Sequence, residues 1–218
     1  MYYLNERNQI IQTCLWLEQQ NLVLGTWGNI SLRISPGEIL LTPSKIPYNK
    51  LSPEDLVIVD YDGKKIEGSN NATSEMDVHR LIYLARPDIH AIIHCHPRYA
   101  SAMCATGREI PPILEEMTQL LGGSVPITPA YIRAGKHLEL AEAVTAALGD
   151  KNAVLIANHA PVCCGRNLEE ARTCCLVTEK AAACYLSIQG HFPVHPIPPQ
   201  DILAERHRFL YQYGHENN

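Results

Sequence analysis

The chain has 218 residues, of which 46% are hydrophobic and 19% charged, and its formal net charge is −5. This length suits a single α/β domain over residues 1–218, with no linker or repeat to divide it. The negative charge argues against nucleic acid or an anionic membrane surface as a partner. No stretch approaches the roughly 20 apolar residues that would span a bilayer. Because the N-terminus has no apolar targeting segment, we expect a cytoplasmic protein.

Eight cysteines are present, but their placement argues against disulfides. Cys163–Cys164 and Cys174–Cys175 are adjacent pairs, and no C-x-x-C motif occurs. Free cysteine commonly packs as a small hydrophobic residue. We therefore expect free thiols in a reducing compartment.

The first half of the chain alternates short apolar runs with helical patterns. In chain order, it predicts a helix from an N-cap at Asn5 to about Gln20, strands over 30–34, 38–42 and 56–60, a hairpin return at 65–67, and a helix from an N-cap at Ser74 to Ala85. The Asp62-Gly63 turn before the hairpin return favours antiparallel pairing.

The second half is richer in helix. It predicts a strand over 91–94, helices over 98–106, 113–121, 138–148 and 168–188, and a last helix over 201–211. Gly122-Gly123 should end the helix over 113–121, and Asn167 should cap the helix that begins at residue 168.

Three histidines follow apolar runs. His94 and His96 close the run that begins at Ala91, and in an extended chain they point to the same face while Cys95 points away. His159 ends a second apolar run, which begins at Ala153. Three neutral imidazoles from two strand ends form an open zinc site that leaves a position for water or substrate. Separate histidines with ordinary hydrogen-bond partners are the alternative.

Thr73, Ser74 and Glu75 stand at the start of a predicted helix. They can be simple capping residues, with Ser74 as the cap and Glu75 favoured by the helix dipole. They can equally form a phosphate cradle beside which Glu75 acts as a base. The sequence alone leaves these two interpretations even.

Two further loops carry small polar residues, 25–29 and 41–48. Glycines there permit close backbone approach, and hydroxyl groups, an amide and Lys45 can hold an anion. Neither loop matches a Walker or dinucleotide-binding motif. The acidic pair Glu115-Glu116 would ordinarily be solvated.

The order of these motifs resembles the class II aldolase/adducin family. The motifs are Gly28-Asn29, Leu41-Thr42-Pro43, Ile46-Pro47-Tyr48, Ser74-Glu75, His94-x-His96 and Asn158-His159. The resemblance runs from the first helix to about Ile188. It implies a three-layer α/β/α sandwich around a mostly antiparallel sheet, assembled as a homotetramer with active sites between subunits.

The resemblance also implies the site residues. One Zn²⁺ per subunit would be bound by His94, His96 and His159, with Glu75 as a further ligand and as the acid/base. The substrate phosphate would be surrounded by Thr26, Gly28, Asn29, Ser44, Lys45, Thr73 and Ser74. The implied reaction is cleavage of a ketose 1-phosphate, such as L-fuculose 1-phosphate or a ribulose 1-phosphate, to dihydroxyacetone phosphate and a small aldehyde. An enediolate stabilised by the metal would be the intermediate.

The chain departs from the family at several positions. No tyrosine stands between Tyr99 and Tyr131, where related aldolases carry one, and Glu116-Met117 instead resembles methylthioribulose-1-phosphate dehydratases. Glu116 is therefore a second candidate acid/base. Lys45 replaces a glycine of the phosphate site.

Several alternatives remain open at this stage. A dehydratase, a ribulose-phosphate 4-epimerase and a non-catalytic adducin-like scaffold would each have this fold. A C-terminal tyrosine that reaches a neighbouring site could be Tyr211 or Tyr213.

Overall fold

A computed structural model describes residues 2–212. Its helices are α1 (Leu4–Gln19), α2 (Met76–Ala85), α3 (Arg98–Cys104), α4 (His137–Leu148), α5 (Leu168–Ile188) and α6 (Pro199–Tyr211). Its strands are β1 (Asn29–Ser35), β2 (Glu38–Leu41), β3 (Val57–Asp60), β4 (Lys65–Glu67), β5 (Ala91–His94), β6 (Ala153–Leu155) and β7 (Pro161–Gly165). No helix among the described residues combines the length and the apolar composition needed to cross a membrane.

The strands form one seven-stranded sheet in the order β4-β3-β2-β1-β5-β7-β6. Each neighbouring pair is antiparallel. In the register between β1 and β5, Asn29 lies opposite His94, so the start of β1 and the end of β5 meet at one edge. On the other side of β5, His94 pairs with Val162 of β7. This register sets the position of the predicted histidine site.

Helices cover both faces of the sheet. One apolar cluster joins the sheet to α1, α3 and α5, and a second joins it to α2 and α4. Alternate residues of β5 pack against the two helical layers: Ile93 lies in the first cluster and Ile92 in the second. The predicted three-layer sandwich around a mostly antiparallel sheet is confirmed.

The sequence located most elements to within a few residues. Asn167 caps α5 as predicted, since its side chain accepts a hydrogen bond from the backbone N–H of Glu170. The eight cysteines, all within the described part of the chain, are free thiols. Cys95 packs in the first apolar cluster, on the side away from the histidines, as the alternation predicted.

Two predicted caps are wrong. The first helix begins at Leu4 after Tyr3, which adopts φ 59°, so Asn5 lies within the first turn instead of capping it. The helix predicted to begin from Ser74 has Glu75 at its N-cap position, without a capping hydrogen bond from that side chain. The backbone N–H of Glu75 donates to the hydroxyl of Thr73 at 3.3 Å.

Two segments in the second half also differ from prediction. The helix expected over 113–121 is reduced to a π-helical turn, Met117–Leu121, although Gly122 ends it as expected with φ 85°. Strand β7 was not predicted, because its run contains a proline and two cysteines instead of β-branched residues. It nevertheless lies between β5 and β6 in the sheet.

Candidate functional site

The three predicted histidines come together. The ring centroid of His94 lies 4.8 Å from the ring centroid of His96 and 4.8 Å from that of His159. The ring centroids of His96 and His159 are 5.1 Å apart. One ring nitrogen from each falls within 4.8 Å of the others. This is the only group of three or more such donors found in the described residues.

Backbone geometry at two places positions these rings. His94 is the last residue of β5, and the N–H of His96 donates to the carbonyl of Leu22, which fixes the chain just beyond the strand. His159 does not end a strand as predicted, because β6 stops at Leu155. It lies in the turn to β7, where Asn158 adopts φ 54°, a left-handed conformation that asparagine tolerates.

The tautomer of His94 follows from its surroundings. Its Nδ1 lies 2.9 Å from the carbonyl oxygen of Pro161, which only accepts, so Nδ1 carries the hydrogen. The lone pair of Nε2 then faces Nε2 of His96 at 3.1 Å. A hydrogen on Nε2 of His96 satisfies this pair, and a cation between the rings would satisfy it as well and could be shared with His159, whose donor nitrogen lies within 4.8 Å of the other two. A carbonyl that fixes the distal nitrogen is also the usual support of a metal-bound histidine.

Burial keeps two of the imidazoles neutral, as metal ligands must be. It lowers the pKa of His96 to about 3, with a further contribution from the neighbouring His94 and His159. Burial likewise lowers the pKa of His159 to about 4. The donor set and its charge state therefore fit a divalent metal such as zinc.

Glu75 faces this cluster. Its two carboxylate oxygens lie 3.3 Å from Nε2 of His94 and 3.6 Å from Nε2 of His159, and Nδ2 of Asn29 donates to Oε2 at 2.8 Å. Burial would raise the pKa of Glu75, but His94, His159 and the Asn29 hydrogen bond outweigh it and lower the pKa to about 2. Glu75 is thus an ionised carboxylate beside the histidine cluster.

Glu75 and His159 line an open cleft of about 440 Å³. Its other wall comes from the segment 131–137, which contributes Arg133, Lys136 and His137. Sequence reasoning missed this cationic wall. The only signal was an Arg-Ala-Gly-Lys run before α4, which reads as an ordinary loop.

The loops that hold the predicted phosphate-site residues converge. Thr42 accepts the N–H of Thr73 on its carbonyl and that of Ile30 on its hydroxyl, both at 3.1 Å. The Ser44 hydroxyl donates to the carbonyl of Ala72 at 2.9 Å. The loop before β1, the loop after β2 and the loop before α2 are therefore joined at one edge of the sheet. Thr26, Ser74 and Lys45 are exposed on these loops.

A family model described as "Class II Aldolase and Adducin N-terminal domain" matches residues 8–186. The chain belongs to this class II aldolase and adducin family. It is 38% identical over 186 residues to the L-fuculose phosphate aldolase of Escherichia coli K12, covering 84% of this chain and 85% of that protein. It is 34% identical over 181 residues to the 5-deoxy-D-ribulose 1-phosphate aldolase of Bacillus thuringiensis serovar kurstaki, covering 83% and 84%.

Comparison with solved structures points to the same family. An L-fuculose 1-phosphate aldolase superposes with a TM-score of 0.91 at 26% identity, over 97% of this chain and 99% of that one. Together these findings confirm the predicted family and the predicted enzyme class, a metal-dependent aldolase.

Lys45 has an unusual backbone conformation. It adopts φ 66°, a left-handed conformation that costs most residues about 1–2 kcal/mol and glycine almost nothing. The glycine that the family resemblance implies at this position would avoid this cost, which the lysine of this chain bears.

Two further predicted residues, Glu116 and Tyr211, do not line the cleft. Glu116 forms an ion pair with Lys180 of α5, and it does not line the cleft of its own chain. The Lys180 hydrogen bond lowers the pKa of Glu116. Tyr211 is exposed near the end of α6, with its ring 4.9 Å from that of His207. Tyr213 lies outside the described residues.

Proposed function

We propose that this chain is a zinc-dependent aldolase that cleaves a ketose 1-phosphate, such as L-fuculose 1-phosphate or a ribulose 1-phosphate, to dihydroxyacetone phosphate and a small aldehyde. The observation that carries this proposal is the position of Glu75, an ionised carboxylate within 3.6 Å of two imidazoles of the metal cluster. The substrates named for the two similar aldolases, L-fuculose phosphate and 5-deoxy-D-ribulose 1-phosphate, support the choice of a ketose 1-phosphate.

His94, His96, His159 and Glu75 would hold the zinc, which would act as a Lewis acid beside the sugar oxygens when bound. Glu75 performs the proton transfer. In condensation, a carboxylate oxygen of Glu75 removes a proton from the carbon of dihydroxyacetone phosphate that will form the new bond. In cleavage, the sugar hydroxyl group that becomes the aldehyde carbonyl gives up one proton, and Glu75, once protonated, delivers one proton to the carbon left electron-rich by loss of the aldehyde, so no net proton is gained or lost.

The phosphate subsite comprises Thr26, Gly28, Asn29, Ser44, Lys45, Thr73 and Ser74. Hydroxyl groups, backbone amides and the Lys45 ammonium group are the donors that a phosphate dianion requires. Binding energy from this remote group orients the reacting carbons next to Glu75. The convergence of the three loops at the edge that carries His94 supports this role.

In this proposal, Glu116 can act as an acid/base only if subunits assemble. Its carboxylate does not line the cleft of its own chain, so it would act at the cleft of a neighbouring subunit. We accordingly propose a homotetramer with active sites at subunit interfaces, in which Glu116 and a C-terminal tyrosine, Tyr211 or Tyr213, are supplied in trans. We also propose that residues 1–218 act as one domain in the cytoplasm.

The experiment is a screen of ketose 1-phosphates with zinc-loaded protein, in which dihydroxyacetone phosphate is measured by a coupled reduction. The expected result is release of triose phosphate from at least one substrate. Loss of water without chain cleavage would instead identify a dehydratase, and interconversion of two ketose phosphates an epimerase. If the purified protein binds no zinc after growth with added metal, that result would favour the non-catalytic, adducin-like scaffold.

A further inference from the structure

A chain of hydrogen bonds runs from Glu75 into the core between β1 and α2. Asn29, which donates to Glu75, presents its Oδ1 to Nε2 of His79 at 2.5 Å. The other ring nitrogen of His79, Nδ1, lies 2.6 Å from Oγ of Ser31. Ser31 Oγ in turn lies 2.8 Å from the hydroxyl of Tyr83.

These groups occupy positions where apolar residues would ordinarily pack. His79 and Ser31 are fully buried, and Tyr83 is 1% exposed. His79 and Tyr83 lie on α2 next to Val78 and Ile82, which belong to the apolar cluster between the sheet and that helix. Burying polar groups costs free energy unless every one is paired. A hydrogen-bonded line at this depth that ends on Glu75 therefore calls for an explanation beyond packing.

The direction of each hydrogen bond can be assigned. The NH₂ group of Asn29 faces the Glu75 carboxylate, which only accepts, so Oδ1 must be the atom that faces His79. Nε2 of His79 then carries a hydrogen and donates it to Oδ1. In a neutral ring Nδ1 is the acceptor, so Ser31 donates its one hydrogen to it. Oγ of Ser31 then accepts from the Tyr83 hydroxyl at 2.8 Å, and the carbonyl of His90, at 3.3 Å, is the more distant acceptor of the same hydroxyl.

We propose that His79 is a positioning residue for Glu75. By donating from Nε2 to Oδ1 of Asn29, it fixes the amide so that the NH₂ group, and not the oxygen, faces the Glu75 carboxylate. Ser31 supports this by holding His79 in the tautomer with hydrogen on Nε2. The inference rests on the proposed function, in which Glu75 moves the proton.

The consequence is control of where the Glu75 carboxylate stands. A flipped Asn29 amide would place two negative oxygens against each other. Without the His79 donor the amide can rotate, and Glu75 loses the hydrogen bond from Nδ2 of Asn29 to Oε2, the oxygen that lies 3.3 Å from Nε2 of His94. Misplacing a catalytic group by about 1 Å can lower a rate by about 100-fold.

The test uses a half-reaction that isolates proton transfer. Zinc-loaded protein is incubated with dihydroxyacetone phosphate in heavy water, and exchange of one carbon-bound hydrogen is followed by NMR per zinc-loaded site. We expect His79→Leu to slow exchange by about 10- to 100-fold with less than about a threefold change in KM. His79→Gln, whose amide can still donate to Asn29, should keep the rate within about fivefold.

A mutant cycle and a matched control exclude a general packing effect. In a Glu75→Gln background, His79→Leu should cause no further loss, because its effect passes through Glu75. Ile82→Ala removes a buried side chain on the next turn of the same helix without touching the hydrogen bonds. It should lower Tm at least as far as His79→Leu and leave exchange per zinc-loaded site unchanged.

Two measurements cover the case in which His79→Leu does not fold. Ser31→Ala is a smaller change that frees the tautomer of His79, and it should slow exchange by about three- to tenfold. In metal-free protein, the side-chain NH₂ protons of Asn29 should give two separate, slowly exchanging signals, and these should merge or broaden in His79→Leu or Ser31→Ala.

Each outcome decides the matter. Slowed exchange in His79→Leu, rescue by His79→Gln and no further loss in the Glu75→Gln background support the inference. Full exchange in His79→Leu or in Ser31→Ala, or an equal loss in Ile82→Ala, overturns it while the proposed function stands. A wild-type protein that exchanges no hydrogen overturns the proposed function and this inference with it.

Discussion

Oε2 of Glu75 lies 3.3 Å from Nε2 of His94. The carboxylate that is suited to proton transfer therefore stands where it can also be a fourth donor to a metal held by the histidines. The same carboxylate lines the cleft, through which a substrate would reach it.

Replacing the Glu75 carboxylate should separate chemistry from metal binding. We expect Glu75→Gln to lower kcat by about 10²- to 10⁴-fold, the range for loss of a general acid–base group, while three imidazoles still retain zinc. Steady-state cleavage and zinc content should be measured on the same sample. Unchanged turnover at full zinc occupancy would show that Glu75 is not the acid/base.

Removing one imidazole should weaken the metal site. Loss of an outer-shell partner commonly costs about 10- to 100-fold in metal affinity, so we expect His159→Ala to lose at least that much. Zinc at about 100 times its Kd should stabilise the wild type by about 2.7 kcal/mol, seen as a rise in Tm that chelation reverses. The control is His137→Ala, on the rim of the same cleft but outside the cluster, which should keep the full shift.

Acid should destabilise the metal-free protein through His79. Burial lowers its pKa from 6.5 to about 3, although Glu75 partly opposes the shift. Between these values the unfolded chain binds the proton and the folded chain does not, so this contribution to stability is lost as pH falls from 6.5. Urea unfolding from pH 6.5 to 4 should show a slope smaller by up to about 1.4 kcal/mol per pH unit in His79→Gln. Equal slopes in both proteins would contradict the assignment.

Lys45 should couple backbone strain to phosphate binding. Lys45→Gly relieves the left-handed strain at φ 66° and should raise stability by about 1 kcal/mol, but it removes the ammonium group and should raise KM several-fold. Lys45→Ala removes the same charge and keeps the strain, so it should raise KM equally without the gain in stability. A KM that stays constant in both variants would exclude Lys45 from the phosphate site.

Gly28 should be sensitive to substitution because it lies against β5, the strand that ends at His94. It adopts φ 137°, and an added Cβ would lie 3.0 Å from the carbonyl oxygen of His94. Gly28→Ala should therefore cost about 1–3 kcal/mol in stability and weaken zinc binding by moving His94. Gly25 in the same loop, with φ 62° and no atom within 4 Å of an added Cβ, provides the comparison: Gly25→Ala should leave zinc affinity unchanged.

The sequence predicted His94 and His96 as a ligand pair because the two residues are separated by a short, regular interval. His94 and His96 are two residues apart, and an extended backbone places such side chains on one face whatever surrounds them. To predict that His159 joins the other two histidines, two things had to be inferred: that its apolar run is a strand, and that this strand lies near β5. The contact is real, but it depends on β7, whose proline and cysteines gave no recognisable strand signal.

The two interpretations of Thr73-Ser74-Glu75 could not be separated from the sequence, because both use the same residue types at a helix start. The structure shows that Ser74 does not cap α2 and that Glu75 turns its carboxylate to the histidines. Likewise, a histidine on an amphipathic helix gives no indication that it contacts an asparagine 50 positions earlier.

The sequence by itself identified His94 and His96 as a pair of candidate metal ligands, since ligand chemistry and strand alternation are local properties. Apolar periodicity located most of the helices and strands, and the order of motifs implied the layered fold through its resemblance to the family. The tertiary structure alone decided that Glu75 faces His94, that His79 supports Asn29, and that Glu116 lies outside the cleft. Those three relationships depend on the register between strands and on the packing of α2 against β1, and such contacts are set by the whole core instead of by any one segment.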